Sequence, residues 1–366
     1  MNHEILMRRA LVLARTAEGF TEHYPMVGAV LVKSGKIISE AYFKQPGEPH
    51  AEVKAIRSAG RGTKGATLVV NLEPCSHFGR TPPCADAIIK SGIKTVVAGM
   101  IDPNPLVKGS GFQRLRRAGI HVVNGVLEKE CRMLNRHFIK YITTGTPWVI
   151  MKLAATADGK IADRAGHSKW ITSGPAREFA HRMRGRAQVV MAGIGTVLKD
   201  DPRLSARPEK KYHQPRPLIV DEMLQIPLSA KALKTPAKCG AIIACANRAP
   251  QKKKISLQNL SATVIETRPD QSGRVNLKEL MKKLGGMKIA SVLCEGGSHI
   301  AGAMIEQGLA DEIMFFYAPR LLTDARALTM LSGGKSRKIQ KAITLCNAKV
   351  GGIGADFFLN AFLREI

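Results

Sequence analysis

A chain of 366 residues with 45% hydrophobic and 23% charged side chains is too long for one small core and too apolar for a disordered tract, so two globular domains are expected. Seven cysteines at irregular spacing (Cys75, Cys84, Cys131, Cys239, Cys245, Cys294 and Cys346) exclude a disulfide framework and point to a reducing compartment. Lysine and arginine total 56 against 29 acidic residues, a formal charge of +27 that suits small phosphorylated ligands or a general basic bias; with 5% aromatics and no basic run beyond Lys252 to Lys254, a nucleic-acid partner is not expected.

The opening MNHEILMRRALVLARTAEGF does not read as a secretory leader, because Arg8 and Arg9 interrupt its apolar stretch. No run reaches the ~20 apolar residues of a membrane span, so a cytoplasmic protein is expected. Glu4 to Ala17 predicts an amphipathic helix with Ile5, Leu6, Ala10, Leu13 and Ala14 on one face. VGAVLVKSGKIISEAY predicts a hairpin turning at Ser34-Gly35. A short helix over Ala51 to Ala59 stops at Gly60, and a strand over Ala66 to Leu72 runs into the loop PCSHFGRTPPC. A helix over Cys84 to Ser91 and a strand over Lys94 to Ala98 follow, then a break at Asp102-Pro103-Asn104-Pro105, then helix, strand and helix to about Tyr141.

Thr143 to Pro147 is turn-prone and predicts a boundary, giving domains 1–145 and 146–366. Beyond it, strands are expected in WVIMKLA, QVVMAG, PLIVD, AIIAC, ASVLCEGG, EIMFFYA and FFLNAFL. Helices are expected after Ser173-Gly174-Pro175, where proline occupies a first-turn position that has no amide partner to lose, and from Ser298. Both halves therefore read as α/β domains.

Two cysteines separated by eight residues follow a strand and open a helix, and Pro49-His50-Ala51-Glu52 lies upstream. His50, Cys75 and Cys84 supply the three protein ligands of a catalytic zinc with one open position. Zinc lowers the pKa of bound water to roughly 7. Glu52 is then the proton carrier between water and substrate rather than a ligand. The H-x-E with P-C-x-x-C pattern marks zinc nucleobase deaminases; the spacing here is wider. The alternatives are a closed structural clip with His77 as fourth ligand, a redox pair, and unligated cysteines.

EPHAEVKAI and LEPCSHFGRTPPC resemble the deaminase half of the bifunctional riboflavin-biosynthesis deaminase–reductases. KLAATADGKIA, SKWITS, TVLKDDPRLSAR and VLCEGGSHIAGAMI resemble the reductase half, in the same order along the chain. The resemblance implies a cytidine-deaminase-like α/β/α layered domain followed by a dihydrofolate-reductase-like α/β domain. It implies zinc and NADPH as cofactors, a phosphorylated pyrimidine as substrate, and a homo-oligomer formed through the reductase domain. It implies that His77 and Arg80 hold the substrate phosphate in the lengthened loop. The family's Pro-Asn-Pro run before the first strand is replaced here by His23-Tyr24-Pro25-Met26, which lacks the substrate-touching asparagine.

In the second half, a strand, a glycine pair and a helix start suit a cofactor phosphate, and no G-x-G-x-x-G opens the domain. The resemblance assigns Ala154, Trp170, Thr196, Asp200, Gly297, Ser298, His299, Ile300, Ala301, Gly302 and Ala303 to the cofactor. It assigns Ser168, Arg184, Leu204, Arg207 and Glu295 to the substrate; Arg184 and Arg207 suit phosphate by bidentate pairing. Lys152, at a strand end, is a candidate to polarise the sugar carbonyl or donate a proton. Glu222 stands where the family often has a small hydroxyl residue; turned inward it would repel a 2'-phosphate, and the expectation is that it faces solvent.

Overall fold

The structure is a computed structural model in which residues 2–79, 81–208, 212–237 and 239–365 are described. The chain divides into two compact units between Gly145 and Thr146.

In the first unit α1 (His3–Arg15) starts on a cap in which the Asn2 side chain accepts from the Glu4 amide. Its buried residues are Leu6, Met7, Ala10 and Ala14; Ile5, expected on that face, is exposed, because Met7 takes the inward position. Strands β1 (Gly28–Lys33) and β2 (Lys36–Tyr42) form the expected hairpin. Its two turn residues, Ser34 and Gly35, are both left-handed (φ 48 and 73), the geometry that matches strand twist. Then come α2 (Ala51–Ala59), β3 (Thr67–Val70), α3 (Cys84–Lys90), β4 (Thr95–Ala98), α4 (Ser110–Arg117), β5 (His121–Val123), α5 (Glu128–Leu134) and α6 (Arg136–Thr144). The sheet order is β2-β1-β3-β4-β5, with β1 antiparallel to β2 and β3, and β3, β4 and β5 parallel. Gly28 to Val32 are buried consecutively, which requires cover on both faces of the sheet. At Gly28 a Cβ would stand 2.0 Å from the Ala10 carbonyl oxygen, so α1 lies directly on β1. Strand β3 ends at Val70, short of the expected Leu72, because the Asn71 side chain turns to Gly28 N (2.8 Å) and Met26 O (2.9 Å).

The second unit contains β6 (Trp148–Thr156), β7 (Lys160–Ala162), α7 (Gly174–Arg186), β8 (Val189–Gly193), α8 (Ile194–Asp200), β9 (Arg216–Val220) and β10 (Ile242–Ala246). It continues with α9 (Gln251–Asn259), β11 (Thr263–Thr267), α10 (Leu277–Gly286), β12 (Ser291–Cys294), α11 (Ser298–Glu306), β13 (Glu312–Ala318), β14 (Leu328–Thr329), β15 (Cys346–Ile353) and β16 (Asp356–Phe362). The main sheet runs β11-β10-β9-β8-β12-β6-β13-β16-β15, parallel from β11 to β13 and antiparallel beyond. From β8 the chain steps outward through β9, β10 and β11, then returns to β12 on the other side of β8. In open α/β sheets such a reversal leaves a crevice at the carboxyl ends of the two flanking strands, here β8 and β12, and ligands bind there. Among the described residues no helix is long and apolar enough to cross a membrane.

Candidate active sites

His50 is the N-cap of α2, with extended backbone (φ −63, ψ 161). Its side chain therefore escapes the helical rule that sets residues two apart on opposite sides, and it can share a site with Glu52. Cys75 lies beyond β3 and Cys84 opens α3; the Cys84 amide donates to the Cys75 sulfur at 3.3 Å. His50 Nδ1 stands 3.2 Å from Cys84 Sγ and 3.6 Å from Cys75 Sγ, and the three donor atoms lie within 4.8 Å of one another. Thr81 Oγ1 lies 3.5 Å from the other ring nitrogen, Nε2. Glu52 is 4% exposed, burial pushes its carboxyl up, and its Oε2 has no hydrogen-bond partner. The Cys75 thiol is brought down to about 4 by Cys84, with burial opposing and His50 assisting; Cys84 is pushed well up by Cys75 and by burial. One imidazole nitrogen, two sulfurs and an orphaned carboxylate oxygen fit a zinc ion with one position left for water.

His77 is exposed and outside this cluster, so it does not close the site as a fourth ligand. Arg80 lies outside the described residues. Sequence reasoning missed the support beneath the cluster. Glu73, buried, accepts from the amides of Asp102 (3.1 Å), Gly109 (2.9 Å) and Phe112 (3.2 Å), fastening that loop two residues before Cys75. Asp102, which reads in sequence only as part of a chain break, is buried, and burial pushes its carboxyl up to about 7 against the pull of the Asn104 amide. Where the family's asparagine is missing, Asn135 and Asn71 hold the Met26 backbone. The Tyr24 ring lies 6.1 Å from Phe43, and Phe43 meets His50 edge-on at 5.5 Å.

In the second unit Lys152 and Ala154 share a face of β6. Lys152 is not at a strand end but inside β6; burial lowers its pKa, and Nζ lies 5.7 Å from the Phe316 ring centroid. Glu295, just past β12, pairs with Arg184 of α7, and the Arg184 Nη1 donates to Ser205 O at 3.2 Å. The pair leaves Arg184 only partly available to a phosphate. His181, one turn earlier, is brought down to about 4 by burial and by the charges of Arg184 and Arg207. Leu204 is buried at φ 55, Arg207 is exposed and Ser168 half-buried. Trp170 is 64% exposed, with the Arg177 guanidinium 4.6 Å from its ring centroid. Asp200 pairs with Lys169 (3.1 Å). Thr196 Oγ1 lies 3.8 Å from where a Gly297 Cβ would stand, so the starts of α8 and α11 face each other across the crevice. Ser298 and His299 both meet Ser332, and Ile300 reaches Gly193. Ala301 is fully buried, Gly302 lies against the Ser332 backbone and Ala303 packs on the core.

This fold and chemistry define a zinc deaminase joined to an NADPH-dependent reductase. Residues 1–100 match the cytidine and deoxycytidylate deaminase zinc-binding region, and residues 147–358 match the RibD C-terminal domain. The chain is 41% identical to the riboflavin biosynthesis protein RibD of Aquifex aeolicus over 96% of each chain. It is 39% identical to that of Escherichia coli K12 over 91% of this chain and 92% of the relative. Acinetobacter baumannii RibD superposes with a TM-score of 0.89 at 35% identity over 98% of each chain. The Thermotoga maritima diaminohydroxyphosphoribosylaminopyrimidine deaminase/5-amino-6-(5-phosphoribosylamino)uracil reductase does so at 0.85 and 37%, again over 98% of each. The chain belongs to the RibD family of bifunctional riboflavin-biosynthesis enzymes.

Proposed function

We propose that residues 1–145 deaminate 2,5-diamino-6-(5-phosphoribosylamino)pyrimidin-4(3H)-one, and that residues 146–366 reduce the ribosyl group of the product to ribityl, giving 5-amino-6-(5-phosphoribitylamino)uracil. The observation that carries the first step is the unpartnered Glu52 Oε2 beside the His50, Cys75 and Cys84 donor atoms. Zinc held by these three side chains supplies hydroxide at neutral pH. Glu52 would take one proton from the water at Oε2 and pass it to the pyrimidine ring, then take the second from the added hydroxyl and pass it to the departing amine, which leaves as ammonia. Its buried, raised carboxyl suits a group that must be protonated part of the time. Thr81 at Nε2 keeps the ring turned so that Nδ1 faces the sulfurs. His77 and Arg80 draw the substrate phosphate to the loop mouth.

NADPH supplies the hydride for the second step. Thr196, Asp200, Ala154, Trp170 and the Gly297 to Ala303 stretch would hold the cofactor at the carboxyl ends of β8, β12 and β6. Lys152 polarises the carbonyl of the ring-opened sugar and donates its proton; burial eases that proton's release. Ser168, Leu204 and Arg207 line the substrate, with Arg207 toward the phosphate, while the Arg184–Glu295 pair steadies the wall beside Lys152. The enzyme works in the cytoplasm, binds no nucleic acid, and associates through the second unit. Outer strand β15, exposed along most of its length with Val350 in solvent, supports that association. Incubating the protein with the pyrimidine nucleotide, with and without NADPH, tests both steps. Ammonia release in both samples, and loss of NADPH absorbance only after it, is expected; NADPH consumption with no ammonia would refute the order.

A further inference from the structure

The order β9-β8-β12-β6 lays the crevice out as a line. Lys152 sits on β6, the reversal lies between β12 and β8, and β9 is the next strand outward. Three strand spacings of about 4.8 Å span about 14 Å, room for a dinucleotide stretched along the carboxyl ends with its nicotinamide over β6. Its adenosine ribose then falls at the end of β9. In the parallel register Val220 of β9 is opposite Gly193, the residue that opens α8. Two residues beyond Val220 stands Glu222.

The turn that carries Glu222 is fixed from beneath. Asp221 is fully buried and accepts from the amides of Gln225 (2.9 Å) and Ile226 (2.8 Å), while the Glu222 carbonyl accepts from Ala246 N (3.0 Å). The Glu222 side chain, half-buried, has no hydrogen bond or ion pair among the described residues. Two basic side chains beyond β10 are engaged elsewhere, Arg248 with the Gly273 carbonyl and Lys254 of α9 with Glu266. In a chain of charge +27, an unpaired, half-buried carboxylate on a rigid turn is a notable exception.

We propose that Glu222 is a specificity-determining residue for the reductase. Its carboxylate accepts from the ribose 2'-hydroxyl of an unphosphorylated dinucleotide and repels the 2'-phosphate of NADPH, so that the enzyme uses NADH as well as NADPH, with affinities within about tenfold of each other. This rests on the crevice being the cofactor site. Calorimetric titration of the full chain with ADP-ribose and with 2'-phospho-ADP-ribose tests it without turnover. The wild type binds both. Glu222→Gln and Glu222→Ser tighten 2'-phospho-ADP-ribose about tenfold and weaken ADP-ribose severalfold, with thermal midpoints little changed because the side chain has no hydrogen bond or ion pair to lose among the described residues. An unchanged affinity ratio in both variants overturns the role of Glu222 while leaving the cofactor site standing. Failure of the wild type to bind either ligand overturns the site and the inference together.

Discussion

Glu295 holds Arg184 with both carboxylate oxygens, Oε1 2.8 Å from Nε and Oε2 2.7 Å from Nη2, across 111 positions of sequence. The Arg184 side chain is 17% and that of Glu295 11% exposed, and Lys152 adds a second positive charge near the carboxylate. This fork ties α7 to the end of β12 beneath the crevice.

Removing one partner of a nearly buried pair leaves the other charge uncompensated, so Arg184→Ala is expected to lower the stability of the second unit by about 3–5 kcal/mol. Arg184→Lys keeps the charge but loses the fork and recovers only part of that. Chemical denaturation of each variant measures both.

The pH dependence of stability follows from the same carboxylate. Burial pushes Glu295 up, but the charges of Arg184 and Lys152 outweigh it and hold the group down to about 2. A depressed carboxylate contributes stability above its unfolded pKa of about 4.3 and loses it as pH falls toward the folded value. The denaturation midpoint is expected to drop between pH ~4.3 and ~2, and that part of the drop to vanish in Glu295→Gln.

Glu73 satisfies three backbone amides with one buried side chain. Glu73→Ala orphans them, and a loss of about 1–3 kcal/mol per uncompensated group is the scale expected. Because Cys75 is two residues away, zinc release to a chelator is expected to accelerate in parallel. A variant that is destabilised yet holds zinc as tightly would separate the two effects.

Glycine positions give a paired comparison. A Cβ on Gly302 would stand 1.9 Å from the Ser332 carbonyl oxygen, whereas one on Gly195 would meet nothing within 4 Å. Gly302→Ala is expected to cost about 1–3 kcal/mol. Gly195→Ala, inside α8, is expected to be neutral or to stabilise by about 0.5–1 kcal/mol. Thermal melts read both.

Much of this is legible in sequence where local chemistry dominates. The Ser34-Gly35 turn, the apolar runs of β8, β9 and β10, and the His50, Cys75 and Cys84 set all announce themselves through residue type and spacing. What sequence hides is set by tertiary contact. Strand β15 (CNAKVGGI) is exposed on most of its length, so no alternation marks it. Helix α9 (QKKKISLQN) buries only Lys254 and Leu257, the lysine satisfied by Glu266 and Asn247, so it has no apolar stripe. The Arg184–Glu295 pair and the Glu73 clamp join residues far apart in the chain, and nothing local predicts either.

The central claim is that His50, Cys75 and Cys84 hold zinc while Glu52 moves protons beside it. Zinc-edge X-ray absorption on the wild type and on Glu52→Gln, with ammonia release assayed on the same samples, tests it most directly. Both proteins are expected to carry one zinc with one nitrogen and two sulfur neighbours completed by an oxygen, and the variant to deaminate ~10²–10⁴-fold more slowly. A metal-free active protein, a shell closed by four protein ligands, or unimpaired ammonia release from Glu52→Gln would contradict the account.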